Sequence, residues 1–238
     1  MEELLESFKQ KLLEAATDNL KAVVLYGSAA AGEYHKGHSD LNVLCLVERT
    51  GAAELEALHA PVAWWRRKGY ASPQVFTFDE LRASADIFAI ELLDMKARHR
   101  MLYGEDFFDS LKVPMQFHKQ QVERELRTHA LRLRQGILSI PPRDRVVVGL
   151  MDASISTFVV LFRHALVVLG GSAPSSRREV IEGIAQLVGA SPDAFLAILD
   201  VREGKRKSSE LNAAETLQGF VSLVERVTDE VDRRLAGN

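Results

Sequence analysis

Two short apolar runs separated by a polar segment constrain this chain more than any other feature. The first, Val23-Val24-Leu25-Tyr26, ends at Gly27-Ser28; the second, Leu41 to Val47, opens directly after Ser39-Asp40. Each has the length and composition of a strand buried on at least one face and bounded by turn residues. Alternate side chains of a strand share a face. Asp40, Asn42, Leu44 and Leu46 therefore point one way, and Leu41, Val43, Cys45 and Val47 the other, which sets Asp40 and Asn42 side by side at the strand's open end. Gly27-Ser28, turning into a short helix over 27–31, would let a ligand's phosphates approach backbone N–H groups.

The flanking sequence supplies helices around these strands. Leu4, Leu5, Phe8, Leu12 and Leu13 recur at helical spacing, so residues 3–16 read as an amphipathic helix. Residues 54–68 read as another, kinked or divided by Pro61. Pro73 to Phe78 reads as a third strand, with a helix entering at Asp79-Glu80-Leu81. Phe88 to Met95 suits a fourth strand or a helix equally, since a short apolar run does not separate the two by periodicity. Alternating strands and helices imply a mixed α/β layer.

The character changes near Leu111-Lys112-Val113-Pro114, beyond which every segment reads helical. Val122, Leu126, Leu133 and Ile137 form one stripe. Gly170-Gly171 signals a helix end, Ser176-Arg177-Arg178-Glu179 a capping box, and Ser191-Pro192 a helix start. The expected organisation is an α/β domain over 1–113 and a bundle of about five helices over 114–238. With 238 residues, two domains are the natural division.

Charge and cysteine content narrow the function classes. A net charge of −3 gives no global attraction to nucleic acid or to anionic membrane, though a local basic patch remains open. A single cysteine rules out an internal disulfide and suits a reducing compartment, so a cytoplasmic location with no disulfide-linked partner is expected. Cys45 reads as core. The apolar stretch 146–169 contains Asp152, Arg163 and His164, which argues for a helix buried in protein and against a membrane partner. Gly32 to Ser39 is not a phosphate-binding P-loop, because His38 stands at the lysine and a strand follows. Trp64-Trp65 reads as one ring in the core and one on its rim, with a stacking surface as the alternative.

Leu25-Tyr26-Gly27-Ser28, followed after a spacer by Ser39-Asp40-Leu41-Asn42-Val43, resembles the signature of the DNA polymerase β-like nucleotidyltransferase superfamily. The order of an α/β domain and a helical bundle is similar to aminoglycoside nucleotidyltransferases of the kanamycin type. The resemblance implies a nucleotidyltransferase-like α/β (α+β) domain with a mixed sheet, followed by an all-α helical bundle. It implies transfer of a nucleoside monophosphate from an NTP to a hydroxyl of an unknown acceptor, small molecule or protein, with Mg²⁺ as cofactor. Carried over, Gly27, Ser28 and Ser39 would receive phosphate, and Asp40 and Asn42 would stand at the metal positions. A third carboxylate belongs on a later strand, where Val75 to Phe78 offers none. Glu91, or else Asp94, would serve if Phe88 to Leu93 were that strand.

Three departures weaken the implied chemistry. Asn42 brings no charge where the family has a second carboxylate. Ala31 stands where many small members carry arginine, and the third carboxylate is not fixed. A unit charge pair at ~4 Å is worth roughly 4 kcal/mol at an effective dielectric of 20. Weak transfer follows, and the alternative is a catalytically silent member acting as a nucleotide-binding or protein-interaction module.

Overall fold

The computed structural model describes residues 1–30, 32 and 41–236. It divides into two compact units, Met1–Pro114 and Met115–Asn238.

The first unit is built on a four-stranded sheet in the order β3-β2-β1-β4. Strand β1 (Leu20–Tyr26) pairs antiparallel with β2 (Asn42–Val47) and with β4 (His99–Tyr103), while β2 pairs parallel with β3 (Gln74–Thr77). The sheet is therefore mixed, as expected. Its two faces follow the alternation read from the sequence. Val23, Leu25, Val43, Cys45 and Val47 join one buried cluster with Leu5, Phe8 and Leu12 of α1 (Glu2–Ala16) and Trp65 of α3 (His59–Arg67). Ala22, Val24, Leu44 and Leu46 join a second with Leu81 of α4 (Phe78–Ala83) and Leu92 and Met95 of α5 (Ala89–Ala97).

Pro61 divides the third predicted segment. Helix α2 (Ala52–Ala57) stops four residues before it, and α3 carries the proline in its first turn. The missing N–H and the ring's clash with the carbonyl of Ala57 rule out a continuous helix, whereas a first turn has no use for that N–H. Thr77 starts α4 with a complete capping box, its hydroxyl accepting from Glu80 N–H and Glu80 returning a bond to Thr77 N–H. At Ser176, by contrast, the described hydrogen bond runs only from Glu179 N–H to the serine hydroxyl, at 3.5 Å.

One expectation is corrected and one open alternative is settled. Residues 27–30 form a hydrogen-bonded turn, Ala30 N–H to Gly27 carbonyl at 3.1 Å, where a short helix was expected. Residues 89–97 form α5, so Glu91 and Asp94 do not lie on a strand. Ala89, Leu92 and Met95, three apart, bury one helical face, and Leu92 and Met95 join the cluster on the sheet. The fourth strand is His99–Tyr103 at the sheet edge. Its half-buried His99 and Arg100 hid it from a search for apolar runs.

The second unit contains five described helices, α6 (His118–Ser139), α7 (Asp144–Val168), α8 (Arg177–Val188), α9 (Asp193–Arg202) and α10 (Ala213–Ala236). Helix α7 is long and apolar enough by length and composition to cross a membrane. In the unit it packs against α6, α8, α9 and α10. The rings of Phe195 and Phe220 stack at 3.9 Å, with Phe158 edge-on to both. Arg163 donates to the carbonyls of Pro174 and Ser175, tying the connection between α7 and α8 to the bundle. Gly171 N–H reaches the carbonyl of Leu166 at 2.8 Å and closes the end of α7, with Gly170 at φ +87°.

Candidate functional site

The site is assembled at the sheet end where β1 finishes and β2 begins. Tyr26 is the direct partner of Asn42 on one side and of His99 on the other. Opposed residues of antiparallel strands project on one face, so these three side chains share the face covered by α4 and α5. Gly27 follows at φ +79°, in the left-handed region that glycine enters without strain. A Cβ there would stand 3.3 Å from Asn42 Nδ2, so the turn and the amide lie close together. Gly27 N–H donates to the carbonyl of Arg98 at 3.1 Å, fastening the turn to the segment that joins α5 to β4.

Helix α5 brings the carboxylate. Glu91, exposed in its first turn, is near enough to Tyr26 for its charge to be felt. Burial, and after it the negative charge of Glu91, push the Tyr26 hydroxyl up to about 12, so it stays neutral and able to donate across the physiological range. Glu91 thus reaches the site's neighbourhood from a helix. Asp94, the other candidate, forms an ion pair with Arg98.

His99 and Asp106 are polar neighbours that the sequence reading did not single out. His99 Nε2 lies 2.8 Å from Asp106 Oδ2, while Nδ1 is 3.1 Å from the carbonyl of Met95 at the end of α5. That hydrogen bond holds the Asp106 carboxyl below its usual range. His99 thus ties β4 to the end of α5 through Met95 and to the segment after the strand through Asp106. Spacing carried no hint of it, because His99 gains its role only through strand pairing.

Asp40 and Ser39 lie outside the described residues, as do Ala31, His35 and His38. Among the described residues no three His, Cys, Asp or Glu side chains gather as a cation site. The Asn42 amide lies beside Gly27 and brings no charge where a second carboxylate would stand. The described residues therefore do not fit a two-cation carboxylate site. Cys45 is fully buried on the opposite face, and burial pushes its thiol up to about 12, so it takes no part in chemistry.

Residues 1–125, more than half of the chain, match the model of the nucleotidyltransferase domain. The chain belongs to the nucleotidyltransferase domain family. The wider resemblance to the polymerase β-like superfamily agrees with this assignment. Among solved structures, spectinomycin adenyltransferase AAD(9) from Enterococcus faecialis, crystallised with ATP and spectinomycin, is 14% identical; the match covers 93% of this chain and 98% of that one, with a TM-score of 0.54. This nucleotidyltransferase-family chain shares that fold, both the mixed sheet and the helical part. A toxin-antitoxin structure with AMP-PNP is 20% identical over 56% of this chain and 94% of that one, with a TM-score of 0.31. No curated protein matches the chain significantly.

Proposed function

We propose that the chain binds a nucleoside triphosphate at the Gly27-Ser28 turn and transfers its nucleoside monophosphate to an acceptor hydroxyl only weakly. The observation that carries this reading is the uncharged amide of Asn42 beside Gly27, where a Cβ would stand 3.3 Å from it. At the place where the resemblance puts a charged metal ligand, this chain has a neutral amide next to the turn that would receive phosphate. An amide N–H suits a phosphate oxygen, and a neutral group lends little help to a second cation.

The roles of Gly27, Ser28 and Asn42 follow from placement, and that of Ser39 from the family resemblance alone. Gly27 admits the phosphates to the backbone, Ser28 and Ser39 donate hydroxyls, and Asn42 donates its amide. The neutral Tyr26 hydroxyl offers a further donor on the same face. Glu91 takes the proton from the acceptor hydroxyl as that oxygen bonds the α-phosphorus and pyrophosphate leaves, with the charge already felt at Tyr26 as support for its reach. Mg²⁺, held by Asp40 alone from this motif, would supply charge neutralisation on the triphosphate. With one carboxylate in place of two, binding outlasts turnover.

Calorimetric titration with ATP and GTP, with and without Mg²⁺, tests binding; labelled NTPs with small polyhydroxylated acceptors and with protein test transfer. The expected result is nucleotide binding with slow transfer that Asn42→Asp accelerates by tenfold or more. Absence of nucleotide binding would falsify the reading, and fast transfer by the unaltered protein that Asp40→Ala abolishes would remove its claim of weakness.

A further inference from the structure

Away from the nucleotide edge, on the sheet face covered by α1 and α3, Trp64 and Trp65 have separate fates. Trp65 is fully buried, sandwiched between Phe8 at 4.2 Å and Tyr70 at 4.6 Å. Trp64 is half-buried at the rim and stacks on Phe8 at 6.3 Å. Over its ring stand two ammonium groups, Lys11 of α1 at 5.4 Å and Lys68, just past α3, at 5.6 Å. Both lysines are exposed, and so is Arg67, one helical turn from Trp64. Among the described residues Lys11, Arg67 and Lys68 meet no carboxylate partner.

The ring draws each ammonium by its quadrupole and so gathers two exposed positive charges around one indole. A phosphodiester would pair with the lysines, and a base could then take their place on the indole. Cations spaced along a backbone beside an aromatic platform form the arrangement that holds single-stranded nucleic acid without regard to sequence. An anionic bilayer would use an indole free to insert among its headgroups, whereas this one is half-buried and stacked on Phe8. We infer that the surface formed by Lys11, Trp64, Arg67 and Lys68 docks single-stranded nucleic acid. The patch lies on the opposite sheet face from Tyr26, and the net charge of −3 confines the attraction to this patch.

The test uses the full-length protein and fluorescein-labelled 20-nucleotide oligo(U) and oligo(dT), read by anisotropy at 50 and 200 mM salt. Micromolar binding that weakens with salt is expected. Lys11→Glu with Lys68→Glu should lower affinity by roughly tenfold or more and flatten the salt dependence. Trp64→Phe, which keeps an aromatic ring on Phe8, should remove the quenching of tryptophan emission on binding while circular dichroism stays unchanged. Binding should persist in excess ATP. The inference is overturned by no binding at 50 mM salt, by binding indifferent to the double charge reversal, by displacement with ATP or inorganic phosphate, or by preference for phosphatidylserine vesicles over the oligonucleotides.

Discussion

The polar edge of the sheet and the polar pair within the bundle handle the same problem in opposite ways. At the sheet edge, Tyr26, Asn42 and Glu91 come together where strands end and Glu91 is exposed, so the group can meet a ligand. In the bundle, His118 at the start of α6 and His164 within α7 are 2% and 5% exposed, and their rings share a hydrogen bond of 2.9 Å. Burial, and then the charge of His164, push His118 down to about 4. A polar cluster at an edge costs little in stability and is available for chemistry. A sealed one is available to nothing but protons, and it ties stability to pH.

The largest effect lies in the bundle. Phe195→Ala removes the ring stacked on Phe220 at 3.9 Å. It should cost about 3–5 kcal/mol in urea denaturation, a cavity effect with no counterpart at the open edge. An equal loss from Asn42→Ala would collapse the distinction between the two regions.

Next comes pH. The His118 pKa falls from 6.5 to about 4 on folding, so between those values the unfolded chain binds the proton that the native chain refuses. Stability from this group is therefore full above pH 6.5 and declines as pH falls toward 4, by about 3 kcal/mol in all. Urea midpoints at pH 7.5 and 4.5 should show this decline, and His118→Gln should reduce it. A decline of the same size in the variant would place the sensitivity elsewhere.

Gly27→Ala sharpens the edge side of the contrast. The positive φ and the nearby Asn42 amide should cost about 1–2 kcal/mol, and nucleotide affinity should fall by more than stability explains. Calorimetry below the melting temperature separates the two; unchanged affinity would remove Gly27 from the site. The smallest effect belongs to Thr77→Ala, which breaks the capping box at α4 for about 1 kcal/mol and leaves nucleotide binding as it was. A shift in binding would mean that α4 supports the edge.

The strand alternation was legible in advance because period-two burial is a local signal: Leu41, Val43, Cys45 and Val47 face one cluster, as read. Gly27 and Asn42 stood out for the same local reason. Glu91 was legible only as a residue. Its element stayed open between strand and helix, because an apolar run as short as 88–95 suits either period, and the contact of Leu92 and Met95 with the sheet chose the helix. Strand β4 was missed because an edge strand that keeps His99 and Arg100 half-buried has no apolar signature. Its place follows from hydrogen bonds to β1, and those join residues more than seventy positions apart.

The sequence by itself determined the frame: two adjacent strands, the turn between them, an amide at position 42 and a helical C-terminal half. Local periodicity and backbone chemistry are written into neighbouring residues, so they need no knowledge of the fold. Only the tertiary structure decided that Tyr26 stands between Asn42 and His99, that the Asn42 amide lies beside Gly27, and that Glu91 reaches the strand ends from a helix. Those relations depend on strand register and helix packing, which are set by burial summed over residues far apart in the chain.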